Sequence, residues 1–245
     1  MEMRPIHAAT TLDAGHPCFD CAVRLQTICG VLASNELREF KTSGATVTRA
    51  AGETIFFEGD VATHVYNLTS GVLRLSKLLP DGRRQIAGFL FAGDFLGITM
   101  EYEHAFTAEA ITPSTLCQFS RARFDGFVDT HPRLERRLYA IAAHELAAAR
   151  QQVVLLGRKT AAERVASFLL MLDARRASSC IELERLDCDI ILPMSRADIA
   201  DYLGLRIETV SRELSALKAS RLIQLTSIQS FRFVDRERLE QLAEG

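Results

Sequence analysis

The sequence predicts an α+β protein in which an antiparallel β-roll is followed by one long helix and a C-terminal helix-turn-helix. Three observations support this fold class. Short apolar runs recur between residues 46 and 120, with glycine-containing turns between them. After His131-Pro132 the composition changes to strong helix formers. Two short helical patterns then flank a glycine near the C-terminus. We therefore divide the chain into four parts, 1–45, 46–130, 131–157 and 158–245.

The β-roll is predicted from evenly spaced short apolar runs such as "HVYNLTSG", "VLRLSKL" and "RQIAGFLF". Turn signals separate them, including Gly71 and the Asp81-Gly82 pair. Regular spacing of short strands is typical of an antiparallel jelly roll or barrel, here of about eight strands.

The long helix is predicted over 131–157, from "RLERRLYAIAAHELAAARQQVVLLG". Apolar residues recur along it at alternating spacings of three and four, as in a coiled-coil seam. This seam is compatible with packing on the β-roll of its own chain and with a symmetric dimer. Its two alanines permit the close helix approach that suits a homodimer. The candidate dimer residues are Tyr139, Ala142, Leu146, Ala149, Val153 and Leu156.

The helix-turn-helix is predicted from "SRADIADYLGLRIETVSRELSALKASRLI", residues 195–223. Ser195 and Asp198 have the spacing of a capping box, and Gly204 supplies the turn. A second helix is expected from about Ile207. Its core face consists of Val210, Leu214 and Leu217.

Three polar residues of the second helix lie opposite its core face, at spacings i, i+3 and i+4. A solvated surface would have such a face, but these residue types match base edges. Arginine pairs with guanine, glutamate accepts from the cytosine amino group, and serine suits either kind of edge. The predicted base contacts are Glu208, Ser211 and Arg212, and the predicted phosphate contacts are Arg196, Arg206, Thr209 and Lys218.

The composition and charge of the chain limit the classes of function that we expect. The net charge is −2, from 29 basic and 31 acidic residues, so DNA binding must depend on a local patch. The N-terminus lacks a secretory profile, and the apolar run around Asp94 is too short to span a bilayer. We expect a cytoplasmic protein without a membrane partner. No general base, nucleophile or phosphate loop accompanies the cysteines, so an enzyme is not expected.

Three cysteines lie close together in "CFDCAVRLQTIC", residues 18–29. Thiols stay reduced in the cytoplasm, so clustered cysteines favour metal or redox chemistry over disulfides. A small metal site normally needs a fourth ligand, which this stretch does not supply. Cys180 and Cys188 are interpreted as small buried hydrophobic residues.

In the order and length of these parts, the chain resembles the CRP/FNR family of bacterial transcription regulators. "IETVSRE" carries the E-x-x-S-R triplet of the oxygen-responsive FNR branch on Glu208, Ser211 and Arg212. The resemblance, strongest to α-proteobacterial members, implies a β-roll like that of cyclic-nucleotide-binding proteins and a winged helix-turn-helix. It also implies a homodimer on double-stranded DNA palindromes of the type TTGAT-N4-ATCAA, with RNA polymerase as a partner.

The nucleotide-binding members of that family need a Gly-Glu pair, followed by an arginine and a small hydroxyl residue. Here Asp94 replaces the glutamate, and Phe106-Thr107 stands where the arginine-bearing pair would fall. A cyclic phosphate would be buried without a cation. We therefore expect no cyclic nucleotide.

The resemblance also supplies a fourth ligand. Cys117, in "STLCQF", falls where the FNR branch carries the last cysteine of a [4Fe–4S] cluster, so the implied ligands are Cys18, Cys21, Cys29 and Cys117. The spacing is C-x2-C-x7-C and then 87 residues. The gap before Cys29 is longer than in the enterobacterial pattern and similar to that of α-proteobacterial relatives. The resemblance implies a global regulator of anaerobic or microaerobic genes, whose cluster favours the DNA-binding dimer until oxygen destroys it.

Two alternatives remain open for these thiols. Zinc also accepts four thiolates, although zinc sites more often consist of two close C-x2-C pairs. The cysteines would serve no cluster in a FixK-like regulator, which binds the same class of DNA.

Overall fold

A computed structural model describes residues 12–99, 101–177 and 189–245. They form two compact units. The first comprises the chain up to Leu73 together with Leu90–His144, and the second comprises Arg74–Phe89 and Glu145–Gly245. Within the described ranges, no helix is long and apolar enough to cross a membrane. Cys180 and Cys188 lie outside these ranges, so their interpretation stays a prediction.

The segment before the β-roll contains two elements that the sequence did not predict. A short 3-10 helix covers Ile28–Val31, and helix α1 covers Ser34–Thr42. The Glu36 carboxylate accepts a hydrogen bond from the Ala33 N–H at 2.7 Å and so closes the first turn of α1. Leu37 and Phe40 bury the inner face of this helix. The cysteine-bearing segment is therefore an ordered part of the first unit.

The described part of the β-roll has eight strands, which confirms the predicted architecture. They form two four-stranded sheets, with strand orders β1-β8-β3-β6 and β2-β7-β4-β5. The strand bounds are β1 Gly44–Arg49, β2 Thr54–Phe56, β3 His64–Ser70, β4 Val72–Leu78, β5 Arg84–Phe91, β6 Phe95–Leu96, β7 Thr107–Ala110 and β8 Ser114–Ser120.

Glycine is needed at the β3–β4 turn for two reasons. Gly71 has φ +92°, and a Cβ there would lie 2.6 Å from the carbonyl oxygen of Pro113. Only a residue without a side chain fits both the positive φ and the close approach. The predicted turn signal at this position is confirmed.

The long helix, α3, covers Pro132–Arg158 and follows helix α2, Arg121–Thr130. Pro132 stands at the first helical position, as the sequence predicts. The predicted C-terminal stop at Gly157 is wrong by one residue, because Gly157 lies inside the last turn. Helix α4, Ala161–Ala177, follows after a two-residue break.

The C-terminal part is a winged helix-turn-helix. Helices α5, Arg196–Leu203, and α6, Ile207–Ala219, are joined by Gly204 in the left-handed conformation, with φ 61°. A capping box between Ser195 and Asp198 begins α5, and Val210, Leu214 and Leu217 are buried, as predicted. The wing is the three-stranded sheet β10-β11-β9. The remaining bounds are β9 Ile190–Ile191, β10 Ile223–Ser227, β11 Ser230–Phe233 and α7 Arg236–Glu244.

Candidate metal centre and nucleic-acid interface

The predicted base-contact residues share the exposed face of α6. Glu208, Ser211 and Arg212 are all solvent-exposed, opposite the buried Val210 and Leu214. The Arg212 side chain is 69% exposed and lies 3.4 Å from the Glu213 carboxylate. A surface ion pair of this kind is weak, so the guanidinium is available for a stronger bidentate partner.

The predicted phosphate contacts fall into two groups. Arg206, before the first residue of α6, and Lys218, in its last turn, are exposed. Thr209 and Arg196 are half-buried, and burial lowers the pKa of Arg196 from its ordinary value. Arg206 and Lys218 are therefore the better placed cations to contact a phosphate backbone.

The seam of α3 is largely exposed within the described chain. The exposed fractions of Tyr139, Leu146 and Val153 are 78%, 53% and 71%. Ala142 and Ala149 are exposed as well, whereas Leu156 is half-buried. An apolar stripe of this kind favours the dimer interpretation over packing on the same chain.

The four predicted ligand cysteines line a single cavity of about 330 Å³, which we call the cysteine cavity. All four are free thiols; Cys18 is buried and the other three are half-buried. Two loop segments and a central strand therefore meet here, although the chain separates Cys29 from Cys117 by 87 residues.

Three hydrogen bonds fix the segment that carries the N-terminal cysteines. His16, only 3% exposed, accepts the Cys18 N–H at its Nδ1 (3.0 Å), so its Nε2 is the atom that donates to the Ser34 carbonyl oxygen (3.1 Å). Thr27 Oγ1 accepts the Cys29 N–H at 3.1 Å. The loop is thus attached to the start of α1.

Cys117 is positioned by the sheet. It lies on β8 between two neighbouring strands, opposite Thr46 of β1 and Asn67 of β3. Residues opposite one another on adjacent strands share a face of the sheet. This register places the three side chains together on the wall of the cysteine cavity.

Two side chains donate hydrogen bonds to sulfur in this cavity. Lys41 Nζ lies 3.2 Å from Cys117 Sγ and 2.7 Å from Thr46 Oγ1. Asn67 Nδ2 lies 3.7 Å from Cys29 Sγ, and its Oδ1 is a buried acceptor without a partner among the described protein atoms. Donors directed at sulfur stabilise the thiolate over the thiol.

Burial affects the ionisation of these thiols. It raises the pKa of Cys29 to about 12 and also raises the pKa of Cys18 and Cys21, with the Lys41 ammonium opposing the rise at the latter two. The thiols of Cys18, Cys21 and Cys29 are therefore protonated at neutral pH until a metal displaces the protons.

The donor set suits a soft metal group, since four thiols surround a volume rather than a point. In the part of the chain that the structure describes, no three His, Cys, Asp or Glu side chains converge enough to hold one metal ion. A tetrahedral zinc ion needs its sulfurs at about 2.3 Å from a common centre. An iron–sulfur cluster accepts sulfurs that are farther apart, because each thiolate binds a different iron.

The cysteine cavity adjoins the start of α3. One hydrophobic core contains Cys18, Phe40 and the fully buried Leu134 of α3, and Cys29 and Cys117 pack against it. In addition, the Arg137 guanidinium donates a hydrogen bond to the Gln26 carbonyl oxygen in the cysteine loop. The cysteine loop is therefore in direct contact with the helix that carries the seam.

The positions of the nucleotide-binding cassette are used for local structure. The Asp94 carboxylate accepts the Phe91 N–H at 2.9 Å, and Thr107 Oγ1 accepts the Glu58 N–H at 3.0 Å. Phe106 is exposed. The described residues at these positions thus supply no cation where a cyclic phosphate would need one.

A second polar network joins the β4–β5 hairpin to α5 within the second unit. Asp198 Oδ1 lies 2.7 Å from both Arg74 and Arg84, and Arg84 also pairs with Asp201 at 2.7 Å. Burial favours protonation of Asp198, but the Ser195 hydroxyl and the two arginines outweigh it and lower its pKa. Asp198 therefore caps α5 and holds the hairpin.

Sequence reasoning missed Lys41, His16, Arg137 and the arginine partners of Asp198. Nothing local in the sequence marks them, because each acts on a residue distant in the chain. Asn67 is different, since an amide in the middle of the apolar run "HVYNLTSG" is itself a signal of a buried polar contact.

Known sequences and structures match most of the chain. A sequence model for a cyclic nucleotide-binding domain matches residues 46–131, and one for a Crp-like helix-turn-helix domain matches residues 163–242. The nitrogen fixation regulation protein FixK of Bradyrhizobium diazoefficiens is 47% identical over 94% of both chains. The transcriptional activator protein FnrL of Cereibacter sphaeroides is 36% identical over 86% of this chain and 85% of that one. The solved structure of FixK2 from Bradyrhizobium japonicum superimposes with a TM-score of 0.74 at 37% identity, covering 81% of this chain and 96% of that one.

Proposed function

Because the chain belongs to the CRP/FNR family of DNA-binding transcription regulators, we propose that it is an oxygen-responsive member of that family. Regulators of this family bind DNA and act as dimers. In the proposal, a [4Fe–4S] cluster is held by Cys18, Cys21, Cys29 and Cys117. The dimer then binds a TTGAT-N4-ATCAA palindrome and controls anaerobic and microaerobic genes, with RNA polymerase as its partner.

The observation that carries this proposal is the placement of four thiols around one cavity of about 330 Å³. Donors from Lys41 and Asn67 already point at two of the four sulfurs. When bound, the cluster supplies an oxygen-labile group that joins the cysteine loop to β8. The likeness to FnrL over 86% of the chain also supports the proposal.

The chain's own residues transmit this state to the dimer seam. A fixed cysteine loop keeps the Gln26 carbonyl oxygen against Arg137, and the shared core keeps Leu134 packed. Both contacts hold the first turns of α3 in place. The exposed stripe from Tyr139 to Val153 then packs across the two-fold axis of the dimer.

Dimerisation determines which DNA is read. Two α6 helices related by a two-fold axis enter successive major grooves one helical turn apart. Arg212 pairs with guanine, Glu208 accepts from cytosine, and Ser211 contacts a neighbouring base edge. Each good bidentate contact contributes about 1–3 kcal/mol of discrimination, so the dimer separates specific from weak sites.

A second candidate function is a FixK-like regulator without a cluster, which would bind the same class of DNA. The 47% identity to FixK and the fit to the FixK2 structure favour it. The cysteines would then be ordinary thiols, open to oxidation where they are accessible. In both candidates the effector is not a cyclic nucleotide.

The deciding experiment is anaerobic purification followed by iron, sulfide and absorption measurements before and after exposure to air. We expect about four irons per chain and a visible absorption that air bleaches. Cys29→Ser removes both, whereas Cys188→Ser, outside the proposed ligand set, leaves them unchanged. Wild-type protein without iron and sulfide would refute the cluster and leave the FixK-like function.

A further inference from the structure

Lys41 is the ammonium group that contacts sulfur in the cysteine cavity. It is half-buried in the last turn of α1, and its Nζ is held between Cys117 Sγ at 3.2 Å and Thr46 Oγ1 at 2.7 Å. Two hydrogen bonds to a flexible side chain restrict its position. The ammonium therefore stays next to the sulfur rather than extending into solvent.

The charge of a loaded cavity requires such a cation. Four thiolates and the iron–sulfur core together carry about −2 in the oxidised state. Two other charged residues line the cavity, Arg24 and Asp20, and they have opposite signs. A compensating cation close by stabilises a partly buried dianion.

Asn67 completes the arrangement. Its side-chain amide donates a hydrogen bond to Cys29 Sγ, and Asn67 is only 2% exposed. Hydrogen bonds to cluster sulfurs and nearby charge are the two means by which a protein sets cluster stability and reduction potential. Lys41 provides both a hydrogen bond and a positive charge at Cys117, while Asn67 provides only a hydrogen bond at Cys29.

We propose that Lys41 is the positioning residue that stabilises the ligated thiolates, so that its charge sets how long the cluster survives in air and how easily it is reduced. The inference rests on the proposed cluster function and deepens it. Lys41 binds no iron itself. It acts through Cys117, whose sulfur its ammonium group contacts.

The test compares Lys41→Met with Lys41→Arg, and uses Lys77→Met, an exposed lysine of β4, as the control for net charge. For each anaerobically reconstituted protein we would measure iron per chain, the half-time of visible-absorption loss in air, and the cluster reduction potential. Thermal unfolding of each iron-free protein checks that the variants fold.

Lys41→Met is expected to shorten the half-time about 10-fold. It is also expected to lower the reduction potential, because a nearby cation favours the more negative reduced cluster. Lys41→Arg and Lys77→Met should have the same half-time and the same reduction potential as the wild type. If the wild type holds a cluster and Lys41→Met has the same half-time and potential, this inference is wrong and the proposed function stands. A wild type without iron refutes both.

Discussion

At the scale of single residues, the two faces of α6 differ: one packs on the core and the other is open to solvent. Val210, Leu214 and Leu217 hold the helix on the core, while Glu208 and Arg212 stand in solvent on the other side. We therefore expect a substitution on the exposed face to change DNA reading without changing the fold. This separation makes the base contacts testable by simple truncation.

Arg212→Ala should lower affinity for a TTGAT-type palindrome by about 1–3 kcal/mol per half-site, because a bidentate pair with guanine is lost. Affinity for unrelated DNA should be unchanged, and the salt dependence should hardly alter. Titration of labelled duplexes at several salt concentrations measures both quantities.

Lys218→Ala is the matched control, since it removes an exposed cation from the last turn of the same helix. Binding should weaken about equally on specific and unrelated DNA, and the salt slope should fall by about one. If Arg212→Ala behaved in this way, Arg212 would be a phosphate contact rather than a base contact.

Residues whose role depends on near neighbours in the sequence could be predicted. Residues that contact a distant part of the chain could not. The face of α6 follows from helical periodicity alone, and the capping box at Ser195 follows from a three-residue spacing. By contrast, Lys41 contacts Cys117 across a sequence separation of 76 residues. No local pattern encodes such a contact, because it depends on the register of β1 and β8.

At the scale of elements, α5 depends on one carboxylate. Asp198 caps the first turn and accepts hydrogen bonds from Arg74 and Arg84, while only 4% of its side chain is exposed. Removal of one partner of a buried ion pair leaves the other charges without compensation. We therefore expect even a nearly isosteric substitution of Asp198 to destabilise α5 strongly.

Asp198→Asn should destabilise the second unit by about 3 kcal/mol at pH 7. Because the folded pKa of Asp198 is lowered, its stabilisation is complete at neutral pH and is lost as the pH falls through that folded pKa. The difference between variant and wild type should accordingly shrink in acid. Urea unfolding at a series of pH values measures it.

Asp201→Asn provides the comparison, because Asp201 pairs with Arg84 and 31% of its side chain is exposed. Its loss should cost about 1 kcal/mol or less. Equal effects from the two substitutions would show that burial at Asp198 is not the cause.

The seam of α3 is an element-scale feature as well. Leu146→Glu places a charge at its centre and should convert the dimer to monomer, because two carboxylates would face each other across the axis. Sedimentation of the reconstituted protein measures the shift. Ala148→Glu, exposed and outside the seam, should remain dimeric. A dimeric Leu146→Glu variant would place the interface elsewhere.

Elements with strong patterns of their own were predicted to within a few residues, whereas helix α1 was missed. Helix α3 and the runs of β3, β4 and β5 carry their signal over seven residues or more. Helix α1 is nine residues long, and its Phe40 ring stacks on the Phe119 ring with the two centroids 4.1 Å apart. Tertiary packing of this kind overrides a weak local pattern.

At the scale of the whole molecule, the question is how the state of the cysteine loop reaches the dimer axis. The sequence and its family resemblance predicted that a cluster fixes this loop against the start of the long helix and so favours the dimer, but they did not identify the contacts. The structure joins them through Arg137, which lies on α3 between the buried Leu134 and the exposed Tyr139 and donates to the Gln26 carbonyl oxygen. This contact belongs to neither the ligand set nor the seam.

Arg137→Ala should therefore uncouple the state of the cysteine loop from dimerisation. Iron content and the rate of bleaching in air should match the wild type, because no ligand has changed. The gain in dimerisation on cluster assembly should be smaller, because the loop no longer holds the first turns of α3. Sedimentation of anaerobic and air-exposed samples of each protein measures that gain.

Arg137→Lys separates charge from geometry in this experiment, since it keeps a cation that donates to the same carbonyl oxygen. Partial recovery of the gain would show that the hydrogen bond itself carries the coupling. If Arg137→Ala dimerises on cluster assembly as fully as the wild type does, the shared core around Leu134 carries the coupling alone. Truncation of Leu134 to alanine, which leaves a cavity in that core, would then be the change that reduces the gain.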